Sequence, residues 1–283
     1  MLIYGKQVSA NLRSKIADKV KDFESSMGRK PCLAVIIVGE DPASKTYVKN
    51  KINGCAEVGM KSLAFEYPDG EPQQNIENTI KSLAKDDSVD GILVQLPLPK
   101  GYDEGYLLSL IPDSKDVDGF SPDNLGRLAM GKPRTVSCTP LGVMNLLADT
   151  GVDLQGKNAV VLGRSNTVGK PMAMLLLNAN CTVTVCHSRT VGLEEFTRRA
   201  DILVVAIGKP KFVTGDMVKE GAIVIDVGIN RVDGKLCGDV DFDSVEPKAS
   251  FITPVPGGVG PMTITMLLYN TLCAAVDREL SKQ

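Results

Sequence analysis

The sequence predicts an α/β protein of two three-layer domains, the second with a parallel sheet and the first completed by the helix at the C-terminus. Three observations carry this. The chain has 283 residues, more than the commonest single core and enough for two domains. Short apolar runs bounded by Gly or Pro alternate with helical patterns from end to end, as in consecutive βα units. The runs are continuous rather than alternating, as strands covered on both faces require.

In chain order, CLAVIIVG (32–39), GILVQLP (91–97), NAVVLG (158–163), DILVVAIG (201–208) and AIVIDVG (222–228) read as buried strands. KSLAFEY (61–67), TVTVC (182–186) and SFITPV (250–255) are weaker strands of the same kind. Asp41 is placed to cap a helix with Pro42 at its first position. A second helix is expected from Thr139 and Pro140 to a stop before Gly151. The last helix is expected from about Pro261 to Leu280. Residues 113–138 are rich in turn formers, and the domain boundary is expected within about 120–140. The division is 1–138 with 262–283 packing back on it, and 139–261.

Hydrophobic residues make up 43%, charged residues 23%, and the net charge is −2. Acids and bases are interleaved, so neither a nucleic-acid footprint nor a membrane-surface patch is expected, and small molecules are the expected partners. Seven cysteines lie far apart with no CxxC pair. Reduced thiols in the cytoplasm are therefore expected, with no metal site. The N-terminal stretch is too polar for a signal peptide, and no run reaches about 18 apolar residues.

The run VVLGRSNTVGKPMAMLLL (160–177) is a strand, a glycine-bearing turn and an apolar helix. Backbone N–H groups at such a helix start can face a pyrophosphate. Gly163 to Gly169 is one residue longer than GxGxxG and lacks its middle glycine, so the pattern alone is weak. The tip of the next strand reads CHSRT, without the acid that holds a ribose 2′-hydroxyl. Arg164, Ser188 and Arg189 instead offer donors to a 2′-phosphate, so NADP is expected over NAD. His187, the only histidine, is assigned to cofactor contact or plain structure.

In SKTYVKNK (44–51), Ser44, Tyr47 and Lys51 stand at i, i+3 and i+7 and share one helical face. Surface solvation is the ordinary role of such lysines. Gln95 ends an apolar strand run and needs a partner there, either in the core or at the carboxyl edge of a sheet. Asp118 lies in the turn KDVDGF, where aspartate commonly bonds its own backbone. FITPVPGGVGPMTITML (251–267) must be a shaped loop followed by a helix.

SKTYVKNK, VQLPLP, KDVDGF, GRSNTVGKP and PVPGGVGPMT, in this order, resemble the bifunctional methylenetetrahydrofolate dehydrogenase/cyclohydrolase family over nearly the whole chain. The resemblance implies NADP-dependent oxidation of 5,10-methylenetetrahydrofolate to the methenyl compound, then hydrolysis to 10-formyltetrahydrofolate, a one-carbon supply used in purine biosynthesis. It also implies a Rossmann-like second domain, a folate cleft between the domains, and a homodimer. By the same resemblance Lys51 is the central catalytic group, Tyr47 stacks on the folate, Gln95 positions Lys51 and Asp118 anchors the pterin. Val94, Leu96, Pro254, Gly257, Gly258 and Pro261 border the substrate. Gly163, Arg164, Ser165, Ser188 and Ile229 match the NADP contacts. Two alternatives stand beside it: another two-domain NADP dehydrogenase, such as one acting on shikimate, and a catalytically silent dinucleotide-binding protein.

Overall fold

The computed structural model of the chain describes residues 1–281. In order, its elements are α1 (Gly5–Met27), β1 (Cys32–Val38), α2 (Pro42–Glu57), β2 (Lys61–Tyr67), α3 (Gln73–Lys85), β3 (Gly91–Val94), α4 (Glu104–Ser109), α5 (Pro122–Ala129) and α6 (Cys138–Asp149). There follow β4 (Asn158–Leu162), α7 (Gly169–Asn178), β5 (Thr182–Cys186), α8 (Leu193–Thr197), β6 (Ile202–Val205), β7 (Ile223–Asp226), β8 (Asn230–Val232), β9 (Lys235–Cys237), α9 (Phe242–Val245), β10 (Phe251–Ile252) and α10 (Val259–Leu280). All eight runs read as strands contain one. The run 250–255 keeps only two strand residues, because Pro254 and Pro256 have no N–H to give a ladder.

The chain forms two compact units. One comprises residues 11–127, 133–138 and, among the described residues, 264–281. Its parallel sheet has the order β2-β1-β3, and every residue of β1 and β3 is buried. Ile76, Ile80 and Leu107 from α3 and α4 pack against the face that carries Ala34, Ile36 and Ile92. Beyond β3, Ile92 bridges Asp116 in parallel and its N–H donates to Lys115 O at 2.8 Å. Residues 115–117 thus run beside β3 and deliver Asp118 to its carboxyl end. Lys115 itself is buried, and its Nζ donates to Leu83 O and Asp86 O at 2.8 and 2.7 Å, satisfying carbonyls at the end of α3. Asn270 of α10 donates to Val117 O and Val136 O, both at 2.9 Å.

α2 starts as its sequence requires. Asp41 accepts from Ser44 N at 2.7 Å and Pro42 occupies the first turn. The N-terminal end of the helix therefore lies directly after β1, at the sheet's carboxyl edge.

The other unit comprises residues 1–10, 128–132 and 139–263. Its main sheet has five strands, all parallel, in the order β10-β7-β6-β4-β5, and β8 and β9 form a separate antiparallel pair. The strand order reverses beside β4, and such a switch point opens a crevice for a ligand at the carboxyl edge. The core contains Val160, Leu162, Leu203, Val205 and Val224. Residues 1–10, expected with the N-terminal domain, belong to this unit instead. Leu2 bridges Ile252, Ile3 N donates to Ile252 O and Ile252 N to Met1 O, so the first residues extend the sheet beside β10.

α10 is long and apolar enough to cross a bilayer by length and composition. However, 61% of its most apolar window is buried in protein, so its apolar residues serve a core.

Candidate functional site

The first group of candidate residues lies in the unit containing β1 to β3. Lys51 projects from α2 and Gln95 follows β3, 44 residues apart in sequence. Lys51 Nζ donates to Gln95 Oε1 at 2.9 Å. Gln95 is held at both ends, its N–H donating to Ile36 O at 2.8 Å and its Nε2 to Leu96 O at 2.6 Å. With the amide nitrogen committed, only the oxygen faces Lys51. Gln95 therefore meets the lysine as an acceptor, through its oxygen.

Asp118 completes this group. Burial pushes its carboxyl above the ordinary carboxylate range, while the charge of Lys51 pulls it back down. Asp116 raises it further, and the neighbouring Cys138 thiol, whose Sγ donates to Val117 O at 3.4 Å, lowers it. Burial, and next the Asp118 charge, raise the Cys138 thiol well above its usual value. Cys138 is therefore held as a neutral thiol, its Sγ donating to Val117 O and accepting from Asn270 Nδ2. It was not singled out in the sequence, where a cysteine at a helix start carries no distinguishing signal.

The two aspartates of KDVDGF divide the work. Asp116 accepts from the backbone N–H groups of Gly119, Phe120 and Ser121 and from Asn124 Nδ2, at 2.7–3.2 Å. It holds the turn expected of an aspartate there, which leaves Asp118 available to Lys51 and Cys138. Tyr47 is 42% exposed, four residues before Lys51. Its ring has an open surface for a planar ligand. Val94 is buried at the end of β3, and Leu96 is half-buried.

The second group lies in the other unit. The carbonyl of Ala206 would stand 2.3 Å from a Cβ added at Gly163, whose φ is +129°. The carbonyl of Gly163 in turn lies 2.3 Å from a Cβ position at Gly169. Both glycines are needed for the turn to close onto α7. Ser165 Oγ accepts from Val168 N and Gly169 N at 3.1 and 3.3 Å, fixing the loop, and Arg164 and Ser165 are exposed.

After β5, His187 N donates to Thr190 Oγ1 and Arg189 N to His187 Nδ1. His187 thus shapes the turn that presents the exposed Ser188 and Arg189. No carboxylate occurs between Cys186 and Val191. A bare loop at a helix start with arginines and hydroxyls, and no acid at the strand tip, fits a dinucleotide carrying a 2′-phosphate.

Ile229, just after β7, is 49% exposed, and its Cδ1 lies 3.9 Å from a Cβ position at Gly260. Pro254, Gly257, Gly258 and Pro261 lie in the segment joining β10 to α10 and in its first turn. Lys6 N donates to Gly257 O at 3.2 Å, and Gly257 has a φ of +105°. Lys51, Gln95 and Asp118 are thus gathered in one unit, and the dinucleotide-type loop, Ile229 and the proline-glycine segment in the other.

Two family models match successive parts of the chain. A family model described as the catalytic domain of tetrahydrofolate dehydrogenase/cyclohydrolase matches residues 3–118. One described as the NAD(P)-binding domain of the same enzymes matches residues 137–279. The bifunctional protein FolD of Dechloromonas aromatica is 58% identical over 275 residues, covering 97% of this chain and 96% of that one. The crystal structure of the bifunctional FolD enzyme of Campylobacter jejuni has a TM-score of 0.95 at 52% identity, covering 98% and 99% of the two chains. That of the Trypanosoma brucei dehydrogenase-cyclohydrolase, complexed with NADP and an inhibitor, has a TM-score of 0.94 at 40% identity, covering 99% and 98%.

Proposed function

We propose how this chain, which belongs to the tetrahydrofolate dehydrogenase/cyclohydrolase family, divides that family's two reactions among its own residues. It is a bifunctional enzyme of one-carbon metabolism. It oxidises 5,10-methylenetetrahydrofolate to 5,10-methenyltetrahydrofolate with NADP, then hydrolyses that cation to 10-formyltetrahydrofolate.

NADP, when bound, supplies the hydride acceptor for the first reaction. The chain supplies its cradle: the Gly163 to Gly169 turn for the pyrophosphate, Arg164, Ser165 and Ser188 for the phosphorylated ribose, and Ile229 along the other half. The folate side falls to Tyr47, whose exposed ring stacks on the pterin, and to Asp118, which accepts from the pterin's ring nitrogens. Val94 and Leu96, at the end of β3 and just after it, border the substrate on that side.

Lys51 is assigned the proton transfers. Hydrolysis adds water to the electron-poor methenyl carbon and opens one carbon–nitrogen bond; of the two water protons, one ends on the released ring nitrogen and the other passes to solvent as the formyl C=O forms. A lysine amine next to this carbon can take the first of these protons and return it to the departing ring nitrogen. The observation that carries the assignment is the 2.9 Å contact to Gln95. An uncharged acceptor orients the lysine without pinning it as an ammonium, as a carboxylate would.

The test is Lys51→Met, assayed optically with methenyltetrahydrofolate. Hydrolysis should fall by about 100-fold or more, while calorimetric NADP binding survives. Retained hydrolysis in that variant would sink the assignment. A homodimer in the cytoplasm, feeding formyl groups to purine biosynthesis, is the further reading the family likeness supports. A monomeric mass in light scattering would overturn the dimer.

A further inference from the structure

Two buried aspartates stand beside the dinucleotide-type loop without belonging to it. Asp239 is fully buried, and its carboxylate accepts four hydrogen bonds. Oδ2 takes the N–H groups of Ile207 and Gly208 at 2.7 and 2.9 Å. Oδ1 takes Lys209 N and Asn230 Nδ2, both at 2.8 Å. One side chain therefore ties together the loop that follows β6 and Asn230, which follows Ile229 at the start of β8 and ends the loop that leaves β7. Asp226 in turn holds the segment bearing Asp239, accepting from Gly228 N, Asp239 N and Val240 N at 2.9–3.0 Å.

The chain is built around these carboxylates. A Cβ at Gly228 would stand 2.3 Å from the Asp239 carboxyl, and one at Gly238 would stand 1.8 Å from Asp226 Oδ2. Either would displace the pair.

The strand order gives the arrangement a direction. β4, which leads into the Gly163 loop, lies between β5 and β6. A dinucleotide with its pyrophosphate at that loop and its adenosine over the tip of β5 must extend its other half over β6 and β7. The loops leaving these two strands are the ones Asp239 fastens. We propose that Asp239 is a positioning residue for the nicotinamide half of NADP, acting through residues 207–209 and through Ile229 and Asn230. This rests on the NADP reading of the same unit.

Asn in place of Asp239 turns an amide NH2 toward two of the four donors and should release one of the two loops. Calorimetry with NADP and with adenosine 2′,5′-bisphosphate, which lacks the nicotinamide half, separates local from general effects. For Asp239→Asn, the Kd for NADP should rise at least tenfold and that for the bisphosphate less than twofold. The dehydrogenase KM for NADP should rise in step with the NADP Kd. Asn230→Ala removes a single half-buried donor and decides the matter if Asp239→Asn does not fold. It should shift NADP affinity in the same direction, by about threefold, and leave the bisphosphate unaffected. Equal weakening of both ligands, or of neither, in the folded variant would overturn the proposal. Failure of the wild-type chain to bind either ligand would instead overturn the cofactor reading beneath it.

Discussion

Lys51, Lys45 and Lys49 lie within seven residues on one helix, yet their surroundings give them different work. Lys45 pairs with Glu40 in solvent, Lys49 is exposed, and Lys51 is half-buried against Gln95. An exposed pair such as the first contributes little to stability. The contact to an uncharged amide is what marks Lys51 for proton transfer. Gln95→Glu tests that distinction, because a carboxylate at 2.9 Å would favour the ammonium. The variant's hydrolysis at neutral pH should fall at least tenfold, and its pH profile should rise at higher pH than that of the wild type. An unmoved profile would mean that Gln95 serves packing alone. Helical spacing singled out Lys51 from its neighbours, but nothing in the sequence near Lys51 names its partner 44 residues away.

The strands end in residues with a task. β3 ends before Gln95, the run beside it before Asp118, β4 before Gly163, and β7 on Asp226. Burial pushes the Asp226 carboxyl up to about 6, against the pull of three backbone N–H groups. A carboxyl raised in the folded state binds a proton that the unfolded chain lacks between about 6 and its ordinary 3.8. Its charge therefore costs stability above about pH 6, and that cost fades as the pH falls through this window. Asp226→Asn cannot titrate. The stability of the wild type relative to this variant should therefore grow by about 2 kcal/mol between pH 6.5 and 4 in urea unfolding. A constant difference would contradict the raised value. The strands were legible because continuous apolar runs are rare outside buried sheets. The turn aspartates were less so: the local rule pointed to Asp118 as the backbone-bonding residue of KDVDGF, whereas Asp116 fills that part, because the path beside β3 turns its carboxylate to the N–H groups of residues 119–121.

At the scale of the whole molecule, the ends of the chain are fastened by contacts distant in sequence. In the unit containing β1, the fully buried Asp90 accepts two bonds from Arg29, at 2.8 and 2.9 Å, and one from Arg278 at 3.1 Å. Cys32 N adds a fourth at 2.9 Å, and Arg29 also reaches Glu279. Asp90→Ala would leave two arginines, each largely covered, without their shared acceptor. The expected loss is about 3–5 kcal/mol in urea unfolding, with the mutual spacing of Lys51 and Gln95 unaffected. A loss below about 1 kcal/mol would show that the pair merely offsets its own desolvation.

The sequence by itself determined the α/β class, the strand positions, the capped start of α2, the phosphate loop and its missing acid, because each follows from local pattern and from groups within one turn. Its five motifs also carried the family. Only the tertiary structure decided that residues 1–3 extend the sheet beside β10, that Gln95 faces Lys51 with its oxygen, that Asp116 frees Asp118, and that Asp239 fastens two loops. These depend on strand pairing and on buried polar groups finding partners far along the chain. A buried carboxylate or amide must be satisfied by whatever donors the fold brings within 3 Å, and those donors have no fixed spacing in the sequence.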